Sequence, residues 1–454
     1  MKKILPPFIL ALCVFAVSIL AQRCTLLCQE CDGLFLMTPD YFRWAFEKPF
    51  PISQIVSDFL VQFYRISLCA PWIVALIVTS VFLLVRGILR VTRMNSVSFP
   101  LLVAAAVWFV MAVTGAAKPG VAVVLCLLPV WLISFFFRKR EGAIPAKADT
   151  IASVVIVLTT ALLLIFNPGI KKAETWARVK NAAIYGKWAV VNEAVSAEMA
   201  LADHELTPFA LLALDARHKL GDAMFSYPVY EENDLDMCLE SDYYNSIFFH
   251  YILHSHIGCR NEAIHNLAQL ATVQPHGTSF MVLRKLVSEN FLAGNFDMVE
   301  KYCKVLERSQ THRGFISSYR TAMSAASPRN ADGVAFRSTV PVINHNPAYN
   351  LVLFGAGGIP LEIIRDRLLC TLLLKRDLSG FLMALNAGAE SPSTLPRHYQ
   401  EALAIAEPRS LNMLASDIRE RFRIFMDAYK TGVGIPEQNA RFGDTYWFYY
   451  YHLK

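Results

Sequence analysis

The sequence predicts an all-α protein, with a five-helix transmembrane bundle followed by a helical-repeat extramembrane domain. Five stretches without a charged side chain lie in the first 170 of 454 residues. Each is long enough to cross about 30 Å of hydrocarbon as a helix. The rest of the chain has no comparable stretch, and its apolar residues recur at helical spacing. A hydrophobic content of 55% agrees with a membrane protein.

The transmembrane domain is predicted over residues 1–170, and the periplasmic helical-repeat domain over residues 171–454. The outer loop, residues 23–65, separates the first two spans. Apolar residues at helical spacing predict an amphipathic helix over 52–66, lying along the membrane surface. Packing of this helix on the spans or on the outer domain is the alternative. The five predicted spans are residues 4–22, 66–85, 94–117, 119–137 and 150–170.

The basic residues predict the orientation of the chain in the membrane. Residues 1–167 hold 14 Lys or Arg against 7 Asp or Glu, whereas residues 168–454 hold 29 against 30. Nine of the 14 flank the predicted spans on one side, which is the cytoplasmic side by the positive-inside rule. With a cytoplasmic N-terminus, five crossings place the C-terminal domain in the periplasm of a bacterial inner membrane. These nine residues are Lys2, Lys3, Arg86, Arg90, Arg93, Arg138, Lys139, Arg140 and Lys147.

Two classes of function are disfavoured by the distribution of charge. A nearly neutral C-terminal half offers no basic surface for nucleic acid. The predicted spans contain no ionisable group of the kind that ion-coupled transporters place at membrane depth, so transport by this chain alone is not expected. The first span is interpreted as a retained anchor rather than a cleaved signal peptide, because Arg23 and Cys24 make a poor cleavage site.

Glycines near the ends of predicted helices recur in the C-terminal half. Gly186, Gly221, Gly258 and Gly294 are 35, 37 and 36 residues apart. Glycine suits a left-handed turn at a helix end, and this period is typical of stacked helical pairs. The copy over 291–302 resembles the middle of a tetratricopeptide repeat. Such stacks form a concave surface that commonly binds a protein or peptide.

A fifth, degenerate copy is predicted over residues 373–378, with a charged pair in place of glycine. Residues 327–350 contain three prolines and are interpreted as a loop excursion between copies. The aromatic run over 445–451 suits a bilayer interface or a partner's groove, and docking on the domain core is an equal alternative.

His250 and His254 are weak metal candidates, since residues four apart on a helix share one face. Tyr251 stands where a zinc protease needs glutamate, and the aromatic surroundings favour packing. The acidic residues 231–242 lack the order of a calcium loop and are interpreted as a solvated linker. The sequence therefore predicts no metal and no cofactor.

The spacing of Cys24, Cys28 and Cys31 matches the motif of radical S-adenosylmethionine enzymes. An oxidising compartment and the lack of following β–α repeats argue against an iron–sulfur cluster. A disulfide among these cysteines, or with Cys69, and unpaired thiols are the remaining alternatives. The cysteines of the outer domain have apolar neighbours and are predicted to be core residues. They are Cys238, Cys259, Cys303 and Cys370.

Four segments, residues 34–42, 59–64, 395–402 and 442–447, together resemble an uncharacterised family of bacterial polytopic membrane proteins, a domain of unknown function with a helical, repeat-like tail. The resemblance implies no activity. It marks a group of family-signature residues, namely Asp40, Tyr41, Arg397, His398, Gln400 and Glu401.

The predicted function is that of an inner-membrane scaffold or adaptor whose periplasmic domain binds another envelope protein or peptide. The alternative is a membrane glycosyltransferase that uses a lipid-linked donor, because such enzymes place an acid in the first outer loop. Asp40 and Asp32 are the weak catalytic candidates under that alternative, although that fold uses more than five spans. The sequence leaves the oligomeric state open.

Overall fold

A computed structural model describes residues 5–66, 68–89, 96–137, 147–237, 243–325, 346–386 and 391–453. These residues form helices, and no strand occurs among them, which confirms the all-α class. The helices of the first half are α1 (Leu5–Asp32), α2 (Pro39–Phe46), α3 (Pro51–Val61), α4 (Cys69–Leu89), α5 (Ser98–Thr114), α6 (Lys118–Phe136), α7 (Lys147–Phe166), α8 (Pro168–Ile184), α9 (Trp188–Ala194), α10 (Ala197–Ala202), α11 (Thr207–Asp215) and α12 (Leu220–Ala223).

The remaining helices are α13 (Tyr243–Ile257), α14 (Arg260–Val273), α15 (Phe280–Leu292), α16 (Phe296–Leu306), α17 (Arg313–Ala325), α18 (Pro347–Ala356), α19 (Leu361–Leu374), α20 (Leu378–Leu385), α21 (Arg397–Ala406), α22 (Ser416–Lys430), α23 (Ile435–Phe442) and α24 (Tyr446–His452). Short 3₁₀ turns cover Gln62–Arg65, His204–Leu206, Met224–Ser226, Glu232–Asp234, Pro392–Thr394 and Pro408–Met413.

The chain divides into two compact units. The first unit is Met1–Asn181 with Ala271–Val287 and Asp297–Ala325. The second unit is Ala182–Leu270 with Ser288–Phe296 and Ala326–Lys454. This division does not follow the boundary at residue 170, because two later segments pack with the N-terminal helices. An extramembrane domain that begins at residue 171 therefore stays a prediction.

A buried ion pair joins one of these later segments to α1 within the first unit. Arg284 of α15 donates to both carboxylate oxygens of Glu30, at 2.5 and 3.0 Å, and its Nη1 lies 3.0 Å from His312 Nε2. All three side chains are buried, and burial lowers the pKa of His312 to about 3. A neutral His312 is therefore compatible with the adjacent guanidinium.

Four helices of the first unit are long and apolar enough to cross a membrane: Pro6–Asp32 within α1, and the whole of α4, α6 and α7. Apolar side chains on the outside of α6 and α7 are exposed, and Phe136 is 85% exposed. Such surfaces are typical of lipid-facing helices rather than of water-facing ones. The predicted third span, residues 94–117, corresponds to α5, an apolar helix of 17 residues.

Polar contacts hold both ends of α5. Asp149, in the first turn of α7, accepts hydrogen bonds from the backbone nitrogens of Val97 and Ser98, at 2.8 and 3.2 Å. At the other end, Gln22 Nε2 donates to the carbonyl oxygen of Ala112 at 3.1 Å. Gln22 is also the residue at which α1 kinks, with φ of −142°. The start of α5 thus lies beside the start of α7, and its end lies beside the kink of α1.

Left-handed residues end the first helix of successive helical pairs in the C-terminal half of the chain. Gly186, Gly258 and Gly294 have φ values of 64°, 89° and 75°. In each case the following N–H closes the turn, as in the 2.9 Å bond from Cys259 to the carbonyl of His254. This is the Schellman arrangement of a helix end. Arg376, with φ of 57°, takes the same position between α19 and α20, within the predicted charged pair.

Gly221 does not have the role that the spacing predicts. His218, with φ of 53°, is the left-handed residue that follows α11. Gly221 instead lies inside α12, where an added Cβ would be 2.8 Å from Pro396 Cβ and 2.9 Å from Tyr399 Cζ. A close approach of α21, rather than a turn, requires glycine here.

Two further sequence interpretations fall on the second unit. Residues 327–345 of the predicted loop excursion lie outside the described residues, and Pro347 to Asn350 begin α18, so the excursion does not extend as far as predicted. Of the alternatives for the aromatic run, the structure shows docking on the core. Tyr446 and Trp447 are fully buried, and Trp447 Nε1 donates to the carbonyl of Glu401 at 2.8 Å.

Candidate functional site

The outer loop of the first unit forms an open apolar cavity of about 600 Å³. Four phenylalanines form much of its wall, and the phenyl rings of Phe35 and Phe63 each lie 5.4 Å from that of Phe59. Seven of the eight lining residues are apolar, so the cavity suits an uncharged apolar group. We call this the outer-loop cavity; it is lined by Phe35, Met37, Phe42, Ile55, Val56, Phe59, Phe63 and Gln310.

The local sequence around α2 and α3 explains the shape of the outer loop. Thr38 caps α2 by accepting a hydrogen bond from the backbone nitrogen of Tyr41, and Pro39 fits the first helical turn. Phe50, with φ of 57°, turns the chain into Pro51 and α3. Helices α2 and α3 therefore follow one another through a tight corner, and residues from both line the cavity.

Two hydrogen bonds fix the rim of the outer-loop cavity to the segment after α16. The backbone nitrogen of Met37 donates to the carbonyl of Arg308 at 2.9 Å. Gln62 Oε1 accepts from the backbone nitrogen of Gln310 at 3.1 Å. Because both partners lie in the first unit, the cavity belongs to one compact body.

Asp58 lies on α3, next to the cavity-lining Phe59. Its Oδ2 accepts a hydrogen bond from the Tyr41 hydroxyl at 2.7 Å, and Gln54 Nε2 lies 2.9 Å from both carboxylate oxygens. Burial raises the pKa of Asp58 to about 6, although both hydrogen bonds and Lys118 act in the opposite direction. This carboxyl therefore changes charge near neutral pH, which is unusual for aspartate.

Trp44 attaches α2 to residues 275 and 276 of the same unit. The Trp44 ring lies 3.9 Å from the His276 ring, and Trp44 Nε1 donates to the carbonyl of Pro275 at 3.0 Å. Burial, together with the charge of Lys48, lowers the pKa of His276 to about 4. His276 is accordingly a neutral packing partner at physiological pH.

The two acids predicted under the enzymatic alternative lie elsewhere. Asp40 is in the first turn of α2, where its side chain is 90% exposed and its Oδ1 lies 3.6 Å from Arg43 Nη1. Asp32 is the last residue of α1. Sequence reasoning overlooked Asp58 as a site residue. The available signal was that Asp58 is the single charged residue of an otherwise uncharged helix.

The family-signature residues of α21 form a buried network in the second unit. His398 Nδ1 lies 2.9 Å from Glu401 Oε2, and both side chains are fully buried. Glu401 also accepts from Arg397 Nε at 2.8 Å and from the backbone nitrogen of Tyr446 at 2.8 Å. These contacts attach α21 to the start of α24.

The neighbouring signature residue, Gln400, joins two further segments. Its Oε1 accepts from the backbone nitrogen of Ala415 at 2.9 Å, and its Nε2 donates to the carbonyl of Leu395 at 2.8 Å. Arg397 Nη1 donates to Asp444 Oδ2 at 3.0 Å. Arg397, Gln400 and Glu401 thus tie α21 to three neighbouring segments, whereas Arg397 Nη2 and His398 Nε2 are buried without a hydrogen-bond partner among the described residues.

His250 and His254 lie on one face of α13, with ring centroids 6.1 Å apart. His250 Nε2 lies 3.0 Å from Asp236 Oδ1, and His254 Nδ1 lies 2.8 Å from Asn266 Nδ2. Burial lowers the pKa of His254 to about 3. Within the described ranges, no group of three or more His, Cys, Asp or Glu is arranged to hold a metal ion.

The acidic residues before α13 make local contacts rather than a cation site. Asp234 Oδ2 accepts from the backbone nitrogens of Tyr230 and Glu231, at 2.6 and 3.2 Å. Glu240 and Asp242, like Cys238, lie outside the described residues.

The nine cysteines in the described part of the chain have free thiols. Cys24, Cys28 and Cys31 occupy the last turns of α1, and Cys28 Sγ lies 3.6 Å from the carbonyl of Ala177. Burial raises the pKa of the thiols of Cys259, Cys303 and Cys370. These last three are buried, as predicted for core residues.

Comparison with known proteins gives one match. The protein family described as "Family of unknown function (DUF6057)" matches residues 1–169 and 113–453. No curated protein and no solved structure matches the chain. The resemblance to a family without an assigned activity is thereby confirmed. Since the two matches together cover nearly the whole sequence, the chain belongs to the DUF6057 family of unknown function.

Proposed function

We propose that this protein is an inner-membrane scaffold or adaptor that crosses the bilayer five times. In this proposal its outer loop and C-terminal helical pairs lie in the periplasm, and the tetratricopeptide-like pairs bind another envelope protein. The observation that carries the proposal is an exposed apolar surface on one helical pair of the second unit. The membrane placement rests on the four long apolar helices and on the geometry of α5.

The contacts of α5 support a fifth crossing. A helix of 17 residues rises about 25 Å at 1.5 Å per residue, which lies at the lower end of what a span requires. Its two ends are held by the first turn of α7 and by the kink of α1, both of which belong to candidate spans. A helix whose two ends lie beside neighbouring spans in this way is expected to cross the same bilayer.

The candidate binding surface lies on α18 and the start of α19. Tyr349, Val352, Leu361 and Ile363 are between 40% and 53% exposed. We call this group the α18–α19 surface. Tyr349 and Val352 are three positions apart and share one face of α18, and exposed apolar side chains grouped in this way mark interaction sites more often than scattered ones do. Their chemistry favours the apolar face of a partner's helix or peptide.

Site-specific photocrosslinking in native membranes tests this proposal with the full-length chain. A photoreactive amino acid at position 349 or 352 should yield one adduct of defined mass, and the adduct should contain an envelope protein. Ile435 of α23 is the matched control, since it is 55% exposed but lies outside the surface. Equal adducts at all three positions, or none at 349 and 352, would contradict the proposal.

A second candidate function is favoured by one observation. Asp58 and the outer-loop cavity together place an acid with a raised pKa beside an apolar cavity. The glycosyltransferase alternative requires an acid in the first outer loop, and a pKa near the working pH suits an acid–base catalyst. Transfer of sugar from a lipid-linked donor by purified protein, abolished in Asp40→Asn or in Asp58→Asn, would favour this enzyme over the scaffold.

A further inference from the structure

The outer-loop cavity is an apolar site whose polar surroundings are already satisfied. Tyr41 and Gln54 are hydrogen-bonded to Asp58, and Gln62 is bonded to the backbone of Gln310. No charged side chain belongs to the lining. A ligand that enters the cavity therefore meets carbon atoms almost everywhere, and it gains affinity chiefly by removing apolar surface from water.

The volume and rigidity of the cavity fit a ligand site. About 600 Å³ lies within the range of roughly 300–1,000 Å³ that is typical of small-molecule sites. The phenyl rings of Phe35, Phe59 and Phe63 contact one another edge to face, and Phe35 also lies 5.2 Å from the Tyr41 ring. These ring contacts order one wall of the cavity.

The surroundings of the cavity indicate where the ligand comes from. The corner between α2 and α3 exposes large apolar side chains, among them Phe46, Phe50 and Ile52, and Met37 at the cavity itself is also exposed. The corner lies in the outer loop between the candidate spans α1 and α4, and α3 packs against the candidate span α6. An apolar corner next to spanning helices is typical of a segment that enters the headgroup boundary. The hydrocarbon region of the bilayer would then be continuous with the mouth of the cavity.

We propose that the outer-loop cavity binds one acyl chain of a membrane phospholipid. The inference rests on the membrane placement of the proposed function, but not on the partner that the α18–α19 surface binds. Because the lining carries no charge, the chain is recognised rather than the headgroup. The lipid inserts its chain among the four phenylalanines and leaves its polar part at the membrane surface.

A phospholipid with a diazirine near the end of one acyl chain tests this site in full-length protein reconstituted into bilayers. Irradiation should label residues 35–63, and phosphatidylethanolamine and phosphatidylglycerol carriers should label them equally. Ile55→Trp fills the cavity and should lower this labelling about tenfold. Ile52→Trp is the matched control on the same helix, since Ile52 is exposed and does not line the cavity; its labelling should change by less than about twofold.

Several results would overturn the proposal. In wild-type protein, labelling confined to α4, α6 and α7, with none in residues 35–63, would show that the cavity holds no acyl chain. This measurement does not depend on the folding of any variant. Labelling that requires one headgroup would exclude recognition through the chain. Equal losses of labelling in Ile55→Trp and Ile52→Trp would show that the labelling does not depend on the outer-loop cavity. Labelling in reconstituted bilayers does not depend on orientation, so an inverted topology with retained labelling would contradict only the proposed orientation.

Discussion

Individual buried carboxyl groups determine how the two units respond to pH and to substitution. Asp58 in the first unit and Glu401 in the second are both hydrogen-bonded by side chains nearby in sequence. Glu401 also accepts a bond from the backbone of Tyr446, whereas Asp58 accepts its side-chain bonds from Tyr41 and Gln54. Burial raises the pKa of Asp58. The two residues therefore lead to different predictions.

Asp58→Asn should remove a pH dependence of stability. Because the pKa of Asp58 in the folded state is raised from 3.8 to about 6, the folded protein binds more protons than the unfolded chain between these values. The contribution of Asp58 is thus fully present below pH 3.8 and is lost as pH rises through about 6. Thermal unfolding in detergent should show wild type losing more stability than Asp58→Asn between pH 5 and 7.

Asp40→Asn provides the control for this measurement, because the Asp40 side chain is 90% exposed on the same loop. It should retain the wild-type dependence on pH. If Asp58→Asn and wild type lose stability in parallel, Asp58 does not titrate in the proposed window.

Glu401→Ala should destabilise the second unit by about 1–3 kcal/mol, the usual cost of leaving buried hydrogen-bond donors without their acceptor. The substitution leaves Arg397 Nε, His398 Nδ1 and the nitrogen of Tyr446 without their shared acceptor. Glu437→Ala is the control, since the Glu437 side chain is 66% exposed and lies 4.0 Å from Arg441. Unfolding followed by circular dichroism should separate the two variants, and similar midpoints would refute a structural role for Glu401.

At the residue scale, several important positions could be predicted from the sequence, but their contacts could not. The signature over 395–402 predicted that Arg397, His398, Gln400 and Glu401 matter. The structure shows that His398, Gln400 and Glu401 are buried and that Glu401 joins α21 to the start of α24. Their partners in 444–446 lie more than 40 positions away, so spacing could not reveal the pairing. Asp58 was overlooked because a carboxyl on an amphipathic helix normally faces water.

At the scale of helices, the end of each helix depends on a backbone conformation that more than one residue type adopts. Glycine spacing predicted the turns at Gly186, Gly258 and Gly294 correctly, because glycine has no steric penalty at positive φ. His218 and Arg376 adopt the same conformation with a side chain present. A pattern based on glycine alone therefore misplaced one turn.

Gly221→Ala should destabilise the protein by about 1–3 kcal/mol, because the new Cβ would overlap Pro396 and Tyr399 of another segment. Alanine is normally preferred inside a helix by about 1 kcal/mol. Gly314→Ala in α17 tests that preference, since a Cβ there meets no atom within 4 Å. The melting temperature should fall for the first variant and stay equal or rise for the second; the same sign for both would contradict a close approach at Gly221.

At the scale of the whole molecule, apolar stretches predict membrane helices better than they predict compact units. Four predicted spans reappear as long apolar helices, and the fifth corresponds to the shorter α5. The grouping of residues 271–287 and 297–325 with the N-terminal helices was not predicted. It involves the contact of Glu30 with Arg284, 254 positions apart, which no local pattern encodes.

The number of crossings is the central claim, because it decides which side of the membrane holds the outer-loop cavity and the α18–α19 surface. A reporter that is active only outside the cytoplasm should be active after Lys454 and inactive after Lys147. A fusion after Glu47 in the outer loop serves as the positive control, and immunoblots verify equal expression. If α5 did not cross, only four spans would remain, and Lys147 would lie outside the cytoplasm while Lys454 would lie inside it. A silent reporter after Lys454 together with an active one after Lys147 would therefore contradict the account.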